Sequence, residues 1–331
     1  MKAIVYKRYG GIEALQLNEV EKPAPACNEV LIKIKAASIN DWDWGKMDGN
    51  SLFNRLTSGF RKPRHDILGS DISGIVEAAG KDILRFKVGD EVYGDISGRW
   101  GGFAEYCCAT EESLAHKPAG MSFPEAAAIP QASMLAIQGL IDKGKISDGC
   151  KVLINGAGGG VGTFGVQIAK LHDVEVTGID HTDKLQMMQS LGFHHVMDYT
   201  KEDFTNEEIR YDIILDVKTN RPILQYLRAL NCGGKYITVG GSMSRLLQIL
   251  VLSPLISIFT NKKVIIVMLK PNKDLAYMNE LFQSGKVIPV IDRQFSLEEV
   301  PDAFTLFASG AHKGKIVISV DDTSSSAGRI M

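Results

Sequence analysis

The sequence predicts an α/β protein in two parts, a barrel-like β domain and a doubly wound parallel sheet. Three observations lead there. The first third holds short alternating apolar and polar runs punctuated by Gly and Pro. From Lys151 onward, short apolar runs alternate with helical segments. Where the first of those runs would pass into a helix, the chain reads Asn155-Gly156-Ala157-Gly158-Gly159-Gly160-Val161-Gly162.

The 331 residues are enough for two domains. In the β-rich part, residues 1–6 read as a strand and not as a leader, since they carry no apolar core segment and no cleavage site. Residues 30–34 alternate as a half-buried strand does, and residues 74–78 and 91–93 form further short strands. An Ala-rich helical stretch opens at Pro124. The parallel sheet is expected from strands at 152–155, 174–179, 213–216, 236–239 and 263–268, with helices at 161–171, 184–191 and 222–230. The end returns to β texture, with strands at 289–292 and 315–320 around a helix at 297–308, then a polar, disordered tail over 321–331.

Charge and cysteine content exclude several classes. A net charge of −2 gives no field of one sign to draw the chain to nucleic acid. Five cysteines, odd in number and irregularly spaced, fit a reducing compartment and a cytoplasmic location rather than a disulfide framework. Residues 246–259 (LLQILVLSPLISIF) are strongly apolar. They are shorter than the roughly 18–20 residues of a spanning helix and contain Pro254, so no integral membrane segment is expected. A core helix, a subunit contact or an apolar pocket lip accounts for them better than peripheral membrane contact does.

The glycine turn carries the chemistry. A tight bend needs backbone freedom, and a pyrophosphate must approach the main chain without meeting side chains. The following helix then offers unpaired N–H groups and the positive end of its dipole. Gly159, Gly160, Val161 and Gly162 are therefore candidate dinucleotide contacts, with Gly162 also allowing close helix–strand packing. Asp180, roughly 20 residues on, stands where an acid would bond ribose hydroxyls, which favours NADH. Lys184 and Tyr199 favour a 2′-phosphate and NADPH. These three residues leave NAD(P)H preference open.

Several stretches resemble a known family when taken together: SINDWD (38–43), LGSDISG (68–74) with VGDEV (88–92), GGFAEY (101–106), the glycine turn with QIAK (167–170), GKVIPVI (285–291) and GKIV (314–317). The chain is similar to zinc-free medium-chain dehydrogenases/reductases of the quinone-oxidoreductase (zeta-crystallin-like) type, from residue 1 to about 320. That resemblance implies a GroES-like domain from residues 1–125 and 288–331, with a Rossmann NAD(P)-binding domain (126–287) inserted and the active site in the cleft between them.

Zinc-dependent relatives carry Cys near the position of Asn40, a His-Glu pair where this chain has Ser70-Asp71, and a run of four cysteines that is missing here. No zinc is therefore expected. Without a metal, the resemblance implies hydride transfer to a quinone or an α,β-unsaturated carbonyl (enone), whose conjugation spreads the incoming charge. It gives Asn40 as the candidate catalytic amide and Trp42 and Trp44 as candidate pocket walls, with a backbone-bonding turn residue and core packing as their structural alternatives. It also places Gly240 and Val217 by the nicotinamide, and puts residues 246–259 where a lipophilic substrate would be received. The strand at 263–268 would pair two copies into a homodimer. Gly45 and Leu135 depart from the tyrosine and threonine seen in many relatives. Two other readings stand: a zinc-independent alcohol or carbonyl dehydrogenase, and a non-catalytic nucleotide-binding protein on the same fold.

Overall fold

A computed structural model describes residues 1–49, 55–56, 58–205, 208–241 and 243–320. The tail expected over 321–331 lies outside the described residues. The chain divides into two compact units. The first comprises residues 1–131, 271–283 and 291–331, and the second residues 132–270 and 284–290.

The first unit opens with the hairpin β1 (Lys2–Val5) and β2 (Gln16–Glu19), followed by β3 (Glu29–Ser38), helix α1 (Asp41–Asp48), β4 (Asp71–Ala79), β5 (Glu91–Asp95), β6 (Tyr106–Thr110), β7 (Ala115–His116) and α2 (Phe123–Ala128). Ser122 caps α2. Its hydroxyl accepts from Glu125 N–H (3.3 Å) while the Glu125 carboxylate accepts from Ser122 N–H (2.8 Å), and Pro124 sits in the first turn. Helix α3 (Pro130–Ile137) leads through a π-helical turn (Gln138–Lys143) into the second unit.

That unit carries β8 (Lys151–Asn155), α4 (Gly160–Ala169), β9 (Glu175–Asp180), α5 (Thr182–Leu191), β10 (His195–Asp198), β11 (Tyr211–Asp216), α6 (Ile223–Arg228), β12 (Leu230–Thr238), α7 (Met243–Thr260) and β13 (Lys263–Ile266). The first unit is completed by α8 (Leu275–Gln283), β14 (Ile291–Ser296), α9 (Val300–Ser309) and β15 (Lys315–Ser319).

In the first unit β3 is the central strand. It pairs antiparallel with β4 along one side and with β6 and then β15 along the other. Two register shifts in the β3–β4 ladder bend the sheet. Inside the bend lie Ile32, Ile34, Ile72, Val92, Phe103, Phe304 and Ile316, with Phe103 and Phe304 meeting edge to face at 5.8 Å. Residues 271–283, which the sequence places with the nucleotide-binding half, bond to the first unit. Tyr93 OH donates to Asn279 Oδ1 (2.6 Å) and Asp95 N–H to Asn272 Oδ1 (2.7 Å).

In the second unit all six strands are parallel, in the order β10-β9-β8-β11-β12-β13. The strands are buried on both faces, so they read as continuous apolar runs. Chain order reverses between β8 and β11, and ligands of such sheets bind outside the carboxyl ends at that switch. Element ends differ from expectation for local reasons. Helix α6 stops at Arg228 because Leu230 already pairs with Tyr211. Helix α9 starts at Val300, with Pro301 in its first turn. The run at 246–259 is a helix that continues through Pro254.

Candidate functional site

Strand β8 carries Asn155 to the carboxyl end of the parallel sheet. The chain turns at Gly156, whose φ of 87° suits glycine, and enters α4 at Gly160. Gly159 stands at the N-cap and brings no side chain to it. The first-turn amides of Gly160, Val161 and Gly162 have no carbonyl one turn earlier to bond, and the helix dipole adds positive potential there. A Cβ on Gly159 would meet only Gly156 O, at 3.6 Å, so this part of the turn is open.

Asp180, Lys184 and Tyr199 come together beside the turn. Asp180 ends β9 and accepts from Gly158 N–H through Oδ2 (2.8 Å) and from His181 N–H through Oδ1 (2.9 Å). Lys184, one turn into α5, holds its Nζ 3.4 Å from Asp180 Oδ1. Both side chains are buried. The lysine stem lies where a Cβ on Gly158 would point. Tyr199 is exposed, with its ring 6.1 Å from that of His181 and its N–H on Asp180 O (3.3 Å). Lys184 is therefore no solvated helix charge. The acid that would read a ribose is already matched by a cation.

Val217 follows β11, donates its N–H to Asn155 O (3.0 Å) and stands against Gly156. Gly240, beyond β12, accepts from Thr238 Oγ1 (2.6 Å) and has nothing within 4 Å of where a Cβ would be. Its position needs no glycine for packing.

A buried network missed in the sequence fixes this sheet edge. Asp216 Oδ1 accepts from Asn155 Nδ2 (2.8 Å), Lys218 N–H (3.0 Å) and Thr219 N–H (2.8 Å), and its Oδ2 accepts from Tyr236 OH (2.7 Å). Burial, with Asp216 beside them, pushes the Tyr226 and Tyr236 hydroxyls up, so both stay protonated donors. Asn155 directly before the glycines and Asp216 at a strand end were visible signals.

The first unit holds a second polar cluster. Asn40 precedes α1 and its N–H donates to Asp43 Oδ2 (2.8 Å). Its Nδ2 donates to Ser70 Oγ (3.1 Å), and its Oδ1 accepts from Lys315 Nζ. Lys315 also donates to Ile39 O (3.0 Å) and lies 4.0 Å from Asp71 Oδ2, which accepts from Gln131 N–H (3.1 Å). All these side chains are buried. Burial raises Asp71 to about 8, against the pull of Lys315, and lowers Lys315. Trp44 turns into the core, stacked 6.3 Å from Phe304, while Trp42 is 47% exposed. Among the described residues, no three His, Cys, Asp or Glu side chains converge to hold a metal ion.

Asp43 gives a pH test. Burial lifts its carboxyl to about 7, partly offset by the N–H groups of Asn40 and Gly69. An unfolded aspartate titrates near ~3.9. Between those values the folded chain keeps a proton that the unfolded chain releases. Asp43 therefore adds stability that is full below about pH 4 and is lost as pH rises through about 7. Melting temperature is expected to fall between about pH 4 and about pH 7. Asp43→Asn should be less stable but flatter across that window. An undiminished slope in the variant would refute the assignment.

The comparisons agree with this architecture. Residues 26–119 match the alcohol dehydrogenase GroES-like domain and residues 191–318 the zinc-binding dehydrogenase model. The chain is 34% identical to a 2-methylene-furan-3-one reductase of Solanum lycopersicum, over 96% of this chain and 79% of that one. It is 30% identical to the chloroplastic NADPH-dependent alkenal/one oxidoreductase of Arabidopsis thaliana, with the same coverage. The quinone oxidoreductase structure from Coxiella burnetii superimposes with a TM-score of 0.87 at 27% identity, covering 97% of this chain and 99% of that chain.

Proposed function

Since the chain belongs to the quinone-oxidoreductase family of medium-chain dehydrogenases/reductases, we propose that it is an NADPH-dependent enzyme that reduces quinones or α,β-unsaturated carbonyls without a metal. One observation carries the cofactor reading. The open turn at Gly159 leads into α4 beside a buried Asp180–Lys184 pair. The first-turn amides of α4 would hold the diphosphate. Lys184 cancels the repulsion that Asp180 alone would exert on a 2′-phosphate, and Tyr199 is exposed next to it. Val217 and Gly240 flank the same sheet edge and leave room for the nicotinamide. The reduced nicotinamide, when bound, supplies the hydride.

Asn40 is the protein donor in this reading. A lysine ammonium only donates, so Lys315 fixes the amide with Oδ1 toward itself and Nδ2 away. One Nδ2 hydrogen goes to Ser70. The second faces the Asp71 carboxyl and is assigned, with substrate bound, to the substrate oxygen on which charge develops. The same contacts make a poor zinc site. At the positions of the relatives' Cys and His, this chain has an amide and a hydroxyl bonded to each other and to a lysine. The five cysteines are free, which supports a reducing compartment such as the cytoplasm. Strand β13 ends the parallel sheet and, among the described residues, pairs only with β12, which supports a homodimer formed along its outer edge.

Mixing the protein with NADPH or NADH and following nicotinamide absorbance, with and without a quinone or enone, tests the function. NADPH oxidation that depends on the acceptor is expected. Binding without turnover across a broad panel would leave a nucleotide-binding protein instead. Lys184→Ala is expected to raise KM for NADPH about tenfold and to leave NADH within about twofold. Equal shifts for the two cofactors would show that Lys184 does not read the 2′-phosphate.

A further inference from the structure

Helix α7 is apolar on the wrong side. Ile249 and Ile256 point into the core of the second unit, as a surface helix requires. Yet Leu247, Leu250, Val251, Leu255 and Ile258 are between 51% and 74% exposed, and they follow helical spacing along the opposite face. Phe259, at the end, is 80% exposed. Such a stripe, on the order of 500 Å², is at the upper end of what monomers leave in water. Helix α7 is also bounded by charge of one sign. Arg245 lies in its first turn, Lys262 and Lys263 follow its end, and no Asp or Glu occurs between Arg245 and Lys263. The chain as a whole has a net charge of −2.

We propose that the outer face of α7 seats the protein on the surface of an anionic lipid bilayer, with the apolar stripe at the level of the headgroups and the cations against lipid phosphates. No helix among the described residues is long and apolar enough to cross a membrane, so the contact lies in the plane of the interface. Lysines and arginines beside an apolar helix face each add attraction to an anionic leaflet. A second copy fits the face less well. In a two-fold interface the patch meets itself, so the cations of one copy would face those of the other with no acid in the segment to pair them. The stripe is also smaller than the roughly 800 Å² per partner of a stable complex. This inference does not depend on the reduction chemistry proposed above.

Vesicle cosedimentation of the full chain tests it, with phosphatidylcholine vesicles against vesicles containing roughly one third phosphatidylglycerol. About tenfold more protein is expected with the anionic vesicles, and less as salt rises. Leu250→Gln/Leu255→Gln/Ile258→Gln should lower binding about tenfold or more, and Arg245→Glu/Lys263→Glu should erase the anionic preference. Sedimentation velocity without lipid runs in parallel. If the wild type ignores both vesicle types, the proposal falls. It also falls if the glutamine variant turns a dimer into a monomer while vesicle binding stays the same, because the face is then a self-interface. A wild-type dimer that still binds anionic vesicles through α7 supports it.

Discussion

Lys315→Met is expected to cost about 3–5 kcal/mol of stability near neutral pH, read as a lower denaturation midpoint. Lys315 faces three buried polar atoms of its cluster: Ile39 O, Asn40 Oδ1 and Asp71 Oδ2. Methionine fills the stem's volume but donates nothing, so two carbonyl-type oxygens lose a partner, and Asp71 without its counter-ion is held in the protonated form. Asp71 is fully buried, and burial already raises it to about 8 while Lys315 holds it down. Without the lysine it titrates higher still. The variant's deficit should therefore shrink as pH falls and Asp71 takes up a proton, and grow as pH rises. Adding Asp71→Asn should restore part of the loss above about pH 8, where the carboxyl would otherwise have to ionise unpaired. A Lys315→Met chain of wild-type stability, or a double variant no better than the single, would show that the pair is not coupled.

Much of the nucleotide-binding sheet was legible in the sequence, because fully buried parallel strands are short apolar runs and the glycine turn marks the first of them. Asp180 and Lys184 stand four residues apart across the junction from β9 to α5. Their charges alone could not show that the pair is buried. Lys315 was hidden for a different reason. It sits in an apolar strand next to Ile316, and its partners Asn40 and Asp71 are brought to it only by pairing of β15 with β3 and of β3 with β4. Long-range ladders of this kind leave no local spacing to read. Trp44 fitted pocket and core equally until the direction of α1 put it on Phe304 and Phe307. The apolar run at 246–259 stood out in the sequence, but a helix apolar on every side has no periodicity that shows which face is left in water.

The sharpest separation of fold from ligand lies between two glycines three residues apart. A methyl group at Gly162 would collide with Ala157 O, and would stand 2.5 Å from both Ala157 Cα and Gly156 O, all of them backbone. Those atoms cannot swing away as a side chain could, so α4 must move off the glycine turn. Gly162→Ala should therefore destabilise the chain by about 1–3 kcal/mol. NADPH affinity should fall about a hundredfold, because the first-turn amides no longer converge on one point. Gly159→Ala makes the opposite case. Its backbone has φ −89° and ψ −178°, which alanine adopts freely, and its Cβ would meet only Gly156 O at 3.6 Å. The melting temperature should stay within about 1 °C, while the dissociation constant for NADPH rises about tenfold, because the methyl group stands where the diphosphate must approach the main chain. Gly159→Ala with unchanged affinity, measured beside a Gly162→Ala that loses both properties, would mean that the diphosphate does not rest on this turn.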